Sequence, residues 1–290
     1  FDISVVSASS DSEKISLDVN VKNTGSFAGK EVVQLYCEAP QGKLGKPARV
    51  LCGFEKTDEL SPNEQQLIHI EVKLSDLASF DDIGATGNKS CFVLEEGKYN
   101  IYAGNDVRSA EYAYSFELEE TIVTEKLSQA LAPVLPFDRI VNRNGKISME
   151  SVPVTEPCED KRRIEGLPAE ITQTGDKGIR LIDVKNGNAS MEEFIAQLSD
   201  DDLSCIIRGE GMGSPRVTAG TASAFGAVSD GLAEKGIPCA CCADGPSGMR
   251  LDCGTKAFSI PNGTLIACTF NKKLAQELFE FMGTEMAANN

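Results

Sequence analysis

The segment Lys14-Ile-Ser-Leu-Asp-Val-Asn-Val-Lys22 alternates apolar and polar side chains without a break over nine residues. A period of two places every apolar group on one face of an extended chain, whereas a helix would scatter them around its circumference. The segment is therefore a strand with one face buried and the other in water. Asn23-Thr-Gly25 turns the chain after it, and similar stretches recur: Glu31–Cys37, Arg49–Phe54, Gln66–Val72, Cys91–Leu94, Lys98–Ala103 and Glu111–Leu118. Seven or eight short strands separated by turn residues indicate a β-sandwich over residues 1–120. His69, the only histidine, falls opposite Ile68 and Ile70 on its strand, so it faces solvent and has no evident catalytic partner. Tyr99, Tyr102, Tyr112 and Tyr114 could form an aromatic platform, but alternation places some of them in the core, and packing is the favoured reading.

The pattern dissolves over 121–189. Pro133, Pro136, Pro153, Pro157 and Pro168 interrupt it, with Ile179–Val184 as the one candidate strand. This reads as a linker or crossing segment. From 190 to 290 the pattern changes to helices and short apolar runs. Ser190 with Glu193 forms a capping-box signature, and Ser199-Asp-Asp-Asp202 starts a second helix with acids suited to its N-terminus. Gly236-Ile-Pro-Cys-Ala-Cys-Cys-Ala243 predicts a buried strand and Leu265–Phe270 a second one. A helix from about Lys272 carries Leu274, Leu278, Phe281, Met282 and Met286 on one side. Such alternation is the beginning of an α/β domain.

Between strand and helix lies Asp244-Gly-Pro-Ser-Gly-Met-Arg250. A carboxylate leaving a buried strand of an α/β fold stands where such folds bind ligands. An equally simple reading makes Asp244 a turn cap, as Asp before Gly-Pro often is. Arg208 and Glu210 are read as pocket-mouth residues or a local salt bridge, Asp252 as structural, and Asp200–Asp202 as helix caps.

Bulk composition narrows the partners. The net charge of −16 disfavours nucleic acid and anionic membrane, and no apolar run approaches the roughly 20 residues of a membrane span. Ten cysteines, mostly in apolar runs, are read as small hydrophobes in a reducing cytoplasm. Cys239-Ala-Cys-Cys242 with Cys253 lacks paired C-x-x-C spacing, so no metal site and no cofactor is expected.

Gly236-Ile-Pro238, the Asp244–Arg250 run, Phe258-Ser-Ile-Pro-Asn-Gly263, Ala267-Cys-Thr-Phe-Asn271 and Gly283-Thr-Glu-Met286 together resemble the opening of the barrel domain of family 3 glycoside hydrolases, chiefly β-glucosidases. Val21–Gly25, Ala28–Tyr36, Leu51–Lys56 and Leu60–Glu64 are similar to the fibronectin type III-like domain of that family. The fibronectin-like part comes first here, as in the circularly permuted members of anaerobic gut and cellulolytic bacteria. The resemblance implies a multi-domain protein: an all-β fibronectin type III-like sandwich (1–120), a linker (121–189), and the first part of an α/β, TIM-like barrel (190–290), incomplete against the ~250 residues a barrel needs.

It also implies a retaining β-glucosidase, acting on terminal β-D-glucosyl residues of cello-oligosaccharides or aryl β-glucosides. The family's nucleophile lies in a Ser-Asp-Trp-like motif, and this sequence has no Trp. Its Lys-His sugar-binding pair is missing as well, because the only histidine is His69. No catalytic residue is therefore expected in this chain. The residues carried over are substrate-binding: Asp244, the family's carboxylate for glucose hydroxyls, and Arg250, which braces the site. The expected partners are a β-glucoside or oligosaccharide and the remainder of the same enzyme; a homo-oligomer is left open. The competing expectation is a carbohydrate-binding or domain-docking sandwich without catalysis.

Overall fold

The structure, a computed structural model, describes residues 1–128, 133–143, 145–154, 158–254 and 256–289. It divides into two compact units, Phe1–Gly166 and Leu167–Asn290.

The first unit opens with β1 (Asp2–Ser10), β2 (Lys14–Lys22), β3 (Val32–Glu38), β4 (Val50–Lys56) and β5 (Gln65–Lys73). It continues with β6 (Ser79–Asp81), β7 (Cys91–Leu94), β8 (Gly97–Gly104), β9 (Glu111–Leu118) and β10 (Ile122–Lys126). An antiparallel sheet of order β1-β2-β5 faces a four-stranded one of order β4-β3-β8-β9. Their inner faces supply one core: Ile15, Leu17, Val19 and Val21 from β2, Ile68, Ile70 and Val72 from β5, Leu35 from β3, Tyr99 and Ile101 from β8. Register enforces this, since Leu17 pairs with Ile70 and Val19 with Ile68 while Asp18 and His69 pair on the outer face. Each buried aliphatic side chain contributes about 1.5–3 kcal/mol. The strands β1, β6 and β10 are additions to the sequence reading. β1 and β10 lack clean alternation because they are largely exposed, and β6 has only three residues.

The Val21–Gly25 motif has a structural reason. Asn23 is buried, its amide donates to the carbonyls of Phe27 and Leu60 (both 2.8 Å), and its Oδ1 accepts the Gly25 N–H (2.9 Å). One side chain thereby ties two loops to the end of β2.

Beyond residue 120 the chain is more ordered than its pattern suggests. β11 (Asp138–Arg143) and β12 (Lys146–Ser151) form a hairpin, and α1 (Glu159–Glu165) follows; Pro157 lies outside the described residues. Ile179–Val184 is not a strand. Residues Leu181–Lys185 form α2, with the Asp183 carboxylate accepting the Arg180 N–H at 2.8 Å.

The second unit continues with α3 (Met191–Ala196), α4 (Asp200–Arg208), β13 (Ser223–Gly226), α5 (Asp230–Glu234), β14 (Cys239–Cys242), α6 (Gly263–Cys268) and α7 (Lys272–Ala288). The expected capping box of Ser190 with Glu193 is present, and the helix start at Ser199 is closed by a second one, Ser199 with Asp202. The strand expected at 265–270 is instead α6, because Asn262 caps it by accepting the Leu265 N–H at 2.9 Å. A short apolar run carries no period to decide between strand and helix. β14 is present but not buried; it pairs antiparallel with β13 and alternates half-buried and exposed positions. The cysteines depart similarly from their reading. Cys37 and Cys91 are buried, whereas Cys158, Cys242, Cys253 and Cys268 are exposed. No helix among the described residues is long and apolar enough to cross a membrane.

Candidate functional site

Asp244 lies two residues past the end of β14, and its main chain bridges Arg250 in an antiparallel closure. The Arg250 N–H donates to the Asp244 carbonyl at 2.7 Å. Inside the closure, Gly245 and Gly248 sit at φ +118° and +113°. A Cβ on Gly245 would lie 1.9 Å from the Gly248 oxygen, and one on Gly248 would lie 2.1 Å from the Phe258 oxygen. Both positions are therefore closed to any other residue.

The surrounding motifs converge on this loop. The Ile260 N–H donates to the Ser247 carbonyl (2.9 Å), and the Asp252 N–H to the Gly220 carbonyl (2.9 Å). From α7, Glu285 accepts the Phe258 N–H at 3.0 Å, and Phe281 packs edge-on to the Phe258 ring at 5.0 Å. Met249, Leu251 and Ile260 are buried beneath the turn. Three separated stretches of sequence thus hold one seven-residue loop in place.

With its backbone engaged in this way, the Asp244 side chain is left exposed, and its carboxylate has no hydrogen-bond partner among the described residues. A turn-capping Asp would accept a backbone N–H within the turn; here the carbonyl performs that task. The Arg250 guanidinium is engaged with the other acid of the loop, Nε donating to Asp252 Oδ1 at 3.1 Å. Two roles are separated: Asp252 holds Arg250, and the Asp244 carboxylate is left open to solvent.

Arg208 and Glu210 do not pair. The Arg208 Nε donates to the neighbouring Gly209 carbonyl at 3.4 Å, while Glu210 bridges Ala224 beside β13. Glu210 Oε2 is buried without a hydrogen-bond partner, and the pKa of Arg216 is raised, chiefly by its hydrogen bond to Asp230. Nothing in the sequence singles out Arg216–Asp230, since the two are 14 residues apart, Arg216 on irregular chain and Asp230 at the start of α5. Asp202 and Asp200 are structural, the first in its capping box and the second accepting from Gln173 Nε2 at 2.8 Å.

In the first unit, His69 is exposed as expected but not alone: Nδ1 lies 2.7 Å from Asp18 Oδ1, and Nε2 lies 3.5 Å from Glu71. The tyrosines form no shared platform, and of the four only Tyr112 is exposed. Tyr99 is buried, Tyr102 is covered by the Arg49 guanidinium at 3.6 Å, and Tyr114 shares a hydrogen bond with Ser10 at 3.0 Å. No cluster of three or more metal-ligating side chains occurs among the described residues.

Residues 31–107 match a fibronectin type III-like domain. The chain is 58% identical over 289 residues to a beta-glucosidase of Ruminococcus albus, which covers 100% of this chain and 30% of that protein. It is 34% identical to Beta-glucosidase A of Butyrivibrio fibrisolvens over 92% of this chain and 34% of that protein. The solved structure of a beta-glucosidase from Paenibacillus barengoltzii superposes with a TM-score of 0.92 at 45% identity, covering 99% of this chain and 33% of that one. The chain spans about a third of the length of these relatives. The likeness to family 3 beta-glucosidases read from the sequence holds along the whole chain.

Proposed function

We propose that this chain is part of a bacterial, cytoplasmic, retaining β-glucosidase that removes terminal nonreducing β-D-glucosyl residues from cello-oligosaccharides or aryl β-glucosides. In this reading 190–290 is the first part of the barrel domain, with β13 and β14 as an antiparallel departure from the usual parallel order, and Asp244 grips the glucose. A carboxylate accepts from two neighbouring hydroxyls at once, and each charge-assisted bond is worth about 1.5–3 kcal/mol. Arg250, held by Asp252, braces the loop from its far side. The carboxylate nucleophile and the acid/base, about 5–5.5 Å apart in retaining enzymes, come from polypeptide outside these 290 residues. Free thiols at Cys37, Cys52 and Cys91 suit the cytoplasm.

One observation carries the reading: the chain matches beta-glucosidases from end to end, and its most conspicuous loop presents an unpartnered carboxylate. The test is hydrolysis of 4-nitrophenyl β-D-glucoside. The 290-residue chain is expected to be inert. A longer polypeptide containing it is expected to hydrolyse the glucoside. There, Asp244→Ala should lower kcat/KM by about 10²- to 10⁴-fold, matching two lost charge-assisted bonds. An inert longer polypeptide, or an Asp244→Ala variant with wild-type kcat/KM, would refute the assignment.

A further inference from the structure

The first unit contains a cavity of about 600 Å³ between the 42–45 loop, the 80–85 segment and the β11–β12 hairpin. Roughly 300–1,000 Å³ is the range of small-molecule sites. Its walls carry Lys43, Phe80, Asp82, Arg139, Asn142 and Glu150. Arg139 joins two of the walls: Nη1 donates to Asp82 Oδ2 at 2.6 Å and Nη2 to Glu150 Oε1 at 3.2 Å.

Both loops are built before any ligand arrives. The buried Glu95 accepts the N–H of Lys43 at 2.7 Å and of Leu44 at 3.4 Å, and pairs with the ammonium of buried Lys46. Gly42, at φ +51°, lies so close to this carboxylate that a Cβ would be 2.4 Å from Glu95 Oε1. On the other side, the fully buried Asp81 accepts the N–H groups of Gly84, Ala85 and Thr86 at 2.7–2.8 Å. A buried acid thus fixes each rim, and the ordering cost that weakens binding at loose loops is met in folding.

The lining selects a class of ligand. Lys43 and Arg139 balance Asp82 and Glu150, so the walls offer no net charge to an anion. Asp82 uses Oδ2 for Arg139 and keeps Oδ1 as an open acceptor for a hydroxyl, while the exposed Asn142 amide both donates and accepts. The Phe80 ring is 42% exposed and is backed by Phe92 at 5.1 Å, giving an apolar plate beside the polar groups. An aromatic plate flanked by a carboxylate and an amide matches a pyranose, with C–H groups on one face and hydroxyls around its rim. We propose that this cavity is a binding site for neutral hexopyranose oligosaccharides, carried by the first unit and independent of the Asp244 loop.

Titrating the 290-residue chain with cellotriose by calorimetry tests this. Millimolar binding is expected, with Phe80→Ala and Asp82→Asn each weakening it at least ~5-fold. Asp82→Asn keeps the side-chain shape, so it remains informative if Phe80→Ala melts the unit; a melting curve checks both variants. His69→Asn, on the outer face of β5 and outside the cavity lining, should leave the affinity unchanged. The proposal is overturned if cellotriose fails to bind, if inorganic phosphate displaces it, or if Asp244→Asn abolishes binding that Asp82→Asn spares. Because hydrolysis is read through Asp244 and this site through Asp82, either assignment fails without the other.

Discussion

At the scale of single residues, Asp81 and Glu95 show how a charge becomes structural. Asp81 is fully buried, yet its carboxyl is held below the ordinary value. Burial alone pushes it up, and the hydrogen bonds from the Thr86 hydroxyl and the N–H groups of residues 84–86 outweigh burial. Because the folded form binds the proton less readily, this contribution is present above the unfolded value of about 3.9 and is lost as pH falls through the folded one. Asp81→Ala strands several donors and should cost about 2 kcal/mol or more, read by urea denaturation at pH 7; an unchanged midpoint would contradict it. Lys46→Met should cost about 3–5 kcal/mol by leaving Glu95 charged and unpaired. His69 has the opposite sign: the side-chain hydrogen bonds to Asp18 and then Glu71 raise its pKa. Its stabilising effect is therefore full below the unfolded value of about 6.5 and fades as pH rises through the folded value. An NMR titration should find the ring titrating above 6.5 and moving down in Asp18→Asn. None of these roles was legible in the sequence, because burial of an acid depends on donors from loops that no periodicity marks. Asp244 is the contrasting case: the seven-residue run already separated two readings, and the backbone geometry adds that the carbonyl, not the carboxylate, closes the turn.

Among the elements, legibility followed the period. Strands β2 and β5 alternate cleanly and could be placed from their side chains alone. The caps of α3 and α4 were equally plain, since a Ser followed three residues later by an acid is a local signal needing no tertiary partner. Short apolar runs failed: Leu265–Phe270 reads as a strand until Asn262 is seen capping it, and Ile179–Val184 until Asp183 is seen folding back on Arg180. The Asp244–Arg250 loop lies between these extremes. Its glycines announced a turn, but its closure depends on the Phe258 and Gly220 segments, which meet it only in the fold. Gly248→Ala should therefore break the contact with Phe258, not merely stiffen the turn. Limited proteolysis is expected to cut the variant near 244–250 while sparing wild type; identical digestion would show that the loop tolerates a Cβ. Ser199→Ala, by comparison, should cost only about 0.5–2 kcal/mol.

For the molecule as a whole, the two units differ in how completely they bury their apolar side chains. The first has sixteen buried residues in a continuous core, including Ile15, Leu17, Leu35 and Tyr99 at 0% exposure. In the second, Ile207, Met212, Phe258, Leu265 and Phe281 are each at least half exposed, and α7 has no buried residue along its length. Buried area is the main source of stability, so backbone hydrogen bonds in the second unit should open at lower free energy than those of the first. Hydrogen exchange of the 290-residue chain is expected to leave β2, β5 and β8 protected longest, while α6 and α7 exchange far sooner. Equal protection across both units would mean that the exposed side chains cost the second unit nothing. The same measurement bears on the proposed enzyme. In a longer polypeptide that covers Phe258, Leu265 and Phe281, α6 and α7 should gain protection by at least ~10-fold in exchange rate, since burying even one such side chain is worth about 1.5–3 kcal/mol. Because Glu285 of α7 accepts the Phe258 N–H and the Phe258 carbonyl lies against Gly248, that gain should extend to the Asp244 loop. A loop whose exchange stays unchanged while α7 becomes protected would show that the turn is organised by the Gly220 side alone.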